Sequence, residues 1–273
     1  MIFVKEIMIV LLLFVLPFLF PLSSFLLPVY KIKQVSKLRP KDRIIINIVV
    51  LIILGIITPI LMVIYCGFYG IIELLYFYFK PKNIKTFDKI IIIAILSSAI
   101  IFLLYTINLD KINGIYNNEI LLNKLGSIFK INTEQVKLML MENSKFFSYT
   151  VFLISLTSVF LTYVVLERET YLYWDISYLW LLIFIIAFFV EKFLLINNYY
   201  IINMREIGRI IFVLYGMKSI YSCLYLNLNN AKYKFLFHLV AFFITMRFSL
   251  IAFLVGAAVA FSKNLLILKK NKD

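Results

Sequence analysis

Long unbroken apolar runs alternate with short knots of lysine and arginine along this chain. Residues 44–79 carry a single charge, Glu73, and residues 90–109 and 146–166 carry none. An uncharged apolar stretch of about 18–20 residues crosses a hydrocarbon core of roughly 30 Å as a helix. The pattern predicts an all-α protein, a polytopic transmembrane helical bundle of about eight crossings, some of them short or broken. Residues 1–273 read as a single integral membrane domain. The runs fall at 7–30, 44–79, 90–108, 146–166, 176–190, 210–228 and 235–262. Pro17, Pro21 and Pro28 each remove a backbone donor and bend the first run, so a short span followed by a re-entrant piece is expected there. As one helix, residues 44–79 would measure about 54 Å, too long for one crossing without steep tilt. With Pro59, Gly67 and Gly70 inside it, this run reads as a hairpin of two short helices.

The polar interruptions orient the chain. Residues 31–43 hold six basic side chains against Asp42, residues 80–89 are also basic, and Leu268-Lys-Lys-Asn-Lys272 is a basic tail. Cytoplasmic loops carry such an excess of Lys and Arg, which places the chain in a bacterial cytoplasmic (plasma) membrane with these segments inside. Residues 109–145, with five lysines against four acids, read as a polar extracytoplasmic loop. Within it, Asn132 followed by Gln135 is a helix start of the capping-box type. Behind them Val136, Met139 and Leu140 share a face opposite Glu134 and Lys137, the pattern of a short interfacial helix. Trp174 and Tyr178 read as interface aromatics ahead of the 176–190 span. Five continuous spans after Lys89 would leave the basic tail opposite the basic linkers, so either one run is broken or the hairpin is wrong. Lys5 precedes an apolar run, as in a signal peptide, but residues 7–30 are too long for one and lack a small-residue cleavage site. That segment is expected to be retained.

Composition agrees: 63% of residues are hydrophobic and the mean hydropathy is +0.99, above the apolar share of soluble domains. The formal net charge of +14 would otherwise raise a nucleic-acid partner. Here the basic residues sit between apolar runs rather than along one polar face, and no nucleic acid is expected. The expected partners are the lipid bilayer, a membrane-protein partner and a small-molecule ligand. Cys66 and Cys223 stand singly in apolar segments and read as small buried hydrophobes. HExxH, GxSxG, a glycine-rich phosphate loop and paired carboxylates in an apolar setting are all missing, and Glu167-Arg-Glu169 reads as a solvated turn. No enzyme, catalytic residue, metal or cofactor is expected.

Ionisable side chains inside apolar runs cost about 2.5–3.5 kcal/mol each on insertion scales and usually face a cavity or a partner. Four stand out: Glu73, Lys218, His238 and Arg247. Lys218 shares a helical face with Tyr215, Tyr221, Ser222 and Tyr225. Two readings stay open: an ion pair with Glu73 among packed tyrosines, or a site in which these residues and Glu73 bind an anionic or aromatic small molecule. His238 heads a stripe of Ala241, Thr245, Ser249, Ala252, Gly256 and Ala260. Its Ala252-xxx-Gly256-xxx-Ala260 ribbon would let two helix backbones approach, which makes His238, Ala252, Gly256 and Ala260 helix-packing residues. Arg247 lies nine positions from His238, on the opposite face. A break near Arg247 would let its guanidinium reach the interface and would place the basic tail inside.

The order of these parts resembles the YybS-like family of bacterial membrane proteins. The likeness lies in Leu26-Leu-Pro-Val29 before a basic turn, and in Gly55-Ile-Ile-Thr-Pro59 leading to Gly67-Phe-Tyr-Gly70 and Lys80-Pro-Lys82. It continues in Leu214-Tyr-Gly-Met217 and in Val255-Gly-Ala-Ala258 ahead of the basic tail. That family has no established activity and is similar in fold to the substrate-binding S subunits of energy-coupling factor transporters. The resemblance implies a small-molecule transport or substrate-capture subunit. Those subunits dock their coupling partner through an N-terminal alanine pair, whereas the first alanine here is Ala94; no proline follows Pro81. The other function the sequence admits is a non-transporting scaffold or regulatory partner whose basic linkers recruit anionic lipid or a cytoplasmic protein.

Overall fold

The computed structural model describes residues 2–110, 114, 118–194, 198–228 and 234–270. Asn271 to Asp273, which end the basic tail, and parts of the 109–145 loop lie outside the described residues. Among the described residues every regular element is a helix. Contacts group the chain into two compact units, Met1–Phe77 with Ile93–Thr162, and Tyr78–Ile92 with Tyr163–Asp273.

In the first unit α1 (Ile2–Leu19) passes through a 3-10 turn, Pro21–Phe25, into α2 (Leu26–Lys33). The prolines do what their chemistry requires: Pro21 and Pro28 sit near helix starts, and Pro17 lies in the last turn of α1. A short 3-10 turn, Val35–Lys37, leads to α3 (Pro40–Ile57), which stops at Thr58. Thr58 is extended, and its side chain accepts from the Ile60 amide to start α4 (Pro59–Ile64). A π-helical segment, Tyr65–Gly70, joins α4 to α5 (Ile71–Phe79). Gly55 faces Met62, and the Tyr65 hydroxyl donates to Asn47 Oδ1 across 2.7 Å. Those pairings, one on each side of Thr58, are those of the antiparallel hairpin read from Pro59. Val10, Phe14, Leu27, Val50, Leu54 and Ile72 fill this unit's core.

α6 (Thr86–Ile107) from Ile93 onward and α9 (Phe147–Leu166) as far as Thr162 carry the first unit's other apolar surfaces. A Cβ at Gly67 would stand 2.5 Å from Ile100 Cγ2, so the π-helical segment lies close against α6. In the polar loop, α7 (Glu119–Phe129) is capped by Asn118, and α8 (Thr133–Lys145) opens with both bonds of the Asn132–Gln135 capping box. Lys130, at φ 55°, turns the chain between them. Val136 is buried, while Leu138 and Met139 are exposed.

In the second unit α10 (Leu181–Phe193) is only 13 residues long, about 20 Å. It begins five residues later than the expected 176–190 span because residues 174–180 are an irregular loop with one 3-10 turn. Trp174 is a correction: it is 1% exposed, a core residue rather than an interface one. α11 (Tyr199–Leu228) is the central helix, packed against α10, α12 (Lys234–Arg247) and α13 (Ser249–Lys270). The last two pass together as one apolar span but are bent by 111° at Phe248. The break expected near Arg247 is therefore present, with Arg247 exposed as the last residue of α12. It also corrects the continuous stripe headed by His238, which divides between α12 (His238, Ala241, Thr245) and α13 (Ala252, Gly256, Ala260).

Among the described residues four helices are long and apolar enough to cross a membrane, or five if the bent pair counts as one. In Pro59–Phe79 and Thr86–Ile107 only 28% of the apolar window is buried inside the protein. The rest is apolar surface of a kind that soluble monomers rarely expose.

Close approach of backbones fixes α11 against its neighbours. A Cβ at Gly216 would lie 1.8 Å from the Ala252 carbonyl oxygen, one at Gly256 2.2 Å from that of Phe212, and one at Gly208 2.6 Å from the Phe184 nitrogen. These obstacles are backbone atoms, which cannot rotate away. Gly216→Val is expected to destabilise the protein by at least about 2 kcal/mol. Gly55→Ala, which meets only the flexible Met62 sulfur at 3.6 Å, is expected to be neutral or to stabilise α3 by up to about 1 kcal/mol. Thermal unfolding of the two variants in detergent, followed by size-exclusion fluorescence, checks the contrast.

Candidate functional site

Each unit is closed around one buried lysine. In the first unit it is Lys31, whose burial follows from spacing. Ser24, Leu27, Pro28, Lys31, Ile32 and Val35 are all buried, a stripe of helical period running through α2, while Lys33 between them is exposed. The Lys31 Nζ donates to Glu73 Oε2 at 2.7 Å and sits 4.7 Å from the centre of the Tyr65 ring. Burial disfavours its charge, but Tyr65 and the Glu73 carboxylate outweigh that and hold its pKa above the ordinary lysine value. The chain of polar contacts continues from Tyr65 to Asn47, whose Nδ2 donates to the Arg43 carbonyl at 2.8 Å. Phe14 closes the inner side with its ring edge-on to Tyr65 and Tyr69.

These groups line a cleft of about 580 Å³ between α2, α3, the π-helical segment and α5. Its polar wall is Lys31, Glu73, Tyr65, Asn47 and Arg43; Leu51, Ile71, Leu74 and Phe77 make the apolar wall. Cys66 also lines it and is exposed, which corrects the expectation that Cys66 and Cys223 are buried; Cys223 is exposed as well. The Nε of Arg43 is buried without a hydrogen-bond partner. Asp42, next to it, is engaged by Arg39 at 3.0 Å.

The second unit uses its lysine differently. Lys218 Nζ, 2% exposed, donates to the backbone carbonyl of Trp174 at 2.8 Å. The next residue, Asp175, accepts from the Tyr215 hydroxyl at 3.1 Å and from Lys263 Nζ at 2.6 Å. Asp88 accepts from the Ser177 amide and the Trp180 indole at 2.8 and 2.9 Å. Burial pushes the phenol of Tyr171, in the same loop, far above its usual pKa.

The structure therefore brings Lys218 and Tyr215 together in one packed cluster, with Tyr221 and Tyr225 along the same helix. Tyr221 is stacked on His238 at 3.8 Å and 11°, with Tyr225 stacked behind it at 6.1 Å. The Ser222 hydroxyl donates to the Lys218 carbonyl, not toward a cavity. Glu73 is not the partner of Lys218; it bonds Lys31 inside the first unit, because Lys31 is the cation that the buried stripe of α2 presents. Ala252 and Gly256 lie where α13 meets α11, and Ala260 is buried.

Sequence reasoning missed Lys31, Arg43, Asn47 and Tyr65. The signal for Lys31 was present in the helical spacing from Ser24 to Val35, but Lys31 is also the first residue of a basic linker and was counted with it. No family of known proteins, no curated protein and no solved structure matches the chain.

Removing one partner of a buried ion pair strands the other charge. Glu73→Ala is expected to destabilise the protein by about 3–5 kcal/mol, and the double variant Lys31→Met/Glu73→Met to recover most of that loss. Thermal unfolding of the single and double variants measures both. Equal losses in the two would show that the pair is not the stabilising contact.

Proposed function

We propose that this chain is a membrane subunit that captures a small molecule, for transport or delivery to a partner, in the cleft of its first unit. The observation that carries this reading is a cleft of about 580 Å³ that combines a buried ion pair with an unsatisfied Arg43 donor. Concave sites with a few convergent polar groups in an apolar wall are the usual form of small-molecule sites. Charges kept inside apolar helices usually serve a pathway or a ligand. The YybS-like pattern of the sequence supports the same class of function.

In this reading the bilayer is a bacterial cytoplasmic membrane. α1, α3 and α10 act as short or broken crossings beside the longer ones, and the bent α12–α13 pair returns to the side it entered. The crossings after Lys89 are then α6, α9, α10 and α11. Their even number leaves the basic tail with the basic linkers, as the positive-inside rule requires. The packed cluster around Lys218 holds the second unit together. A non-transporting scaffold is favoured by one observation, the filling of that second cluster by its own side chains.

Purification in mild detergent followed by native mass spectrometry tests capture. A bound small molecule is expected on the wild-type chain and on Lys218→Met, and is expected to be lost from Lys31→Met/Glu73→Met. Lys218→Met should cost about 1–3 kcal/mol through the stranded Trp174 carbonyl. Bound ligand should also slow maleimide labelling of Cys66 in a Cys223→Ser background. Partner proteins and bulk lipid alone, with no change at Cys66, would favour the scaffold.

A further inference from the structure

The charges in the first unit's cleft do not cancel. Lys31 and Glu73 neutralise each other at 2.7 Å, while Asp42, the acid nearest Arg43 in sequence, is held by Arg39. Among the described residues no carboxylate pairs with Arg43, and its Nε is buried without an acceptor. The cleft therefore carries one net positive charge, the Arg43 guanidinium in its lining. Asn47 and Tyr65 direct their hydrogen bonds to each other and to the Arg43 carbonyl, so what remains to be satisfied asks for a single anion.

The rest of the lining is apolar. Leu51 and Ile71 continue the wall, and Leu74 and Phe77 are 65% and 41% exposed at its rim, on a helix whose apolar window is mostly unburied. On a membrane-spanning stretch that rim adjoins acyl chains, so a small hydrated anion would reach the cleft only by leaving water for hydrocarbon. An anion carried on an apolar body would satisfy both halves.

We infer that the cleft binds an anionic amphiphile, its carboxylate or phosphate on Arg43 and its apolar body along Leu51, Leu74 and Phe77. This rests on the capture reading above and names its ligand class. Two sources share the chemistry: an anionic phospholipid of the bilayer, and a free amphiphile such as a long-chain carboxylate.

The test uses the full chain in phosphatidylcholine nanodiscs and reads bound ligand by native mass spectrometry. The probes are phosphatidylglycerol, palmitate, hexadecanol and inorganic phosphate. Wild type is expected to retain phosphatidylglycerol or palmitate at least about tenfold over phosphatidylcholine or hexadecanol, the worth of one charge-assisted hydrogen bond. Preference for phosphatidylglycerol identifies the bilayer as the source, and preference for palmitate a free amphiphile. Arg43→Gln should lose the preference while unfolding at an unchanged or higher temperature, since the Nε it removes makes no bond. Lys41→Gln, an exposed charge in the same linker, should keep it, which separates the cleft from general attraction of basic segments to anionic lipid. Equal losses in the two variants, or phosphate binding as well as palmitate, would overturn the inference. A neutral or cationic small molecule bound in the cleft would sink the anion and leave capture standing. A cleft that holds none of the probes and no co-purified molecule would sink capture itself.

Discussion

An ammonium taken out of water into a helical bundle loses several kcal/mol of hydration, and only a fixed acceptor offsets that loss. Lys31 and Lys218, each 2% exposed, impose this requirement on the two units and meet it with different acceptors. Lys31 has a carboxylate, so the hairpin of α3 and α5 must bring Glu73 down to the level of α2. The π-helical segment sits in that hairpin ahead of α5 and widens the turn there, which places Tyr65 over the lysine while Glu73 reaches it. Lys218 has a backbone carbonyl, so the loop before α10 must turn inward and bury Trp174.

That difference decides which unit is filled. A loop bonded through the Trp174 carbonyl, the Asp175 carboxylate, the Ser177 amide and the Trp180 indole has its polar groups committed. The aromatic rings of Tyr171, Tyr215 and Tyr221 then occupy the space that a ligand would need. In the first unit the polar chain from Glu73 to Asn47 runs along one wall of a cleft and ends on Arg43, which has a donor to spare. The same chemistry, a lysine among tyrosines, gives a packed core in one place and an open wall in the other.

The apolar runs were legible because hydrocarbon tolerates few charges, and Arg247 was legible for the same reason. A guanidinium near the middle of an otherwise uncharged run forces either a partner or a break, and the 111° bend at Phe248 is the break. The hairpin at Pro59 and the capping box at Asn132 could also be read, because each depends on local residue chemistry. Partners were harder. The Lys218 acceptor is a main-chain oxygen, which every residue owns and no sequence advertises. Glu73 was assigned the wrong lysine because Lys31 belongs at once to a basic linker and to a buried helical face, and only the face decides its partner. The shortness of α10 was hidden because residues 176–180 of the loop ahead of it carry no charge and run straight into the helix.

Arg43 shows what a structural role alone leaves unexplained. A guanidinium with no task would turn outward or pair with the nearest acid, and Asp42 is adjacent. Yet Asp42 turns to Arg39, which is itself highly exposed, while Arg43 stays half-buried against the cleft with Nε unsatisfied. An unmade bond to a buried charged donor costs more than about 1–3 kcal/mol. Asp42 and Arg43 are consecutive on α3 and leave the helix on different sides, so Asp42 serves Arg39 three residues back and the Arg43 Nε is left without a carboxylate. An anion in the cleft would pair with the Arg43 guanidinium and would stabilise the folded unit as it bound.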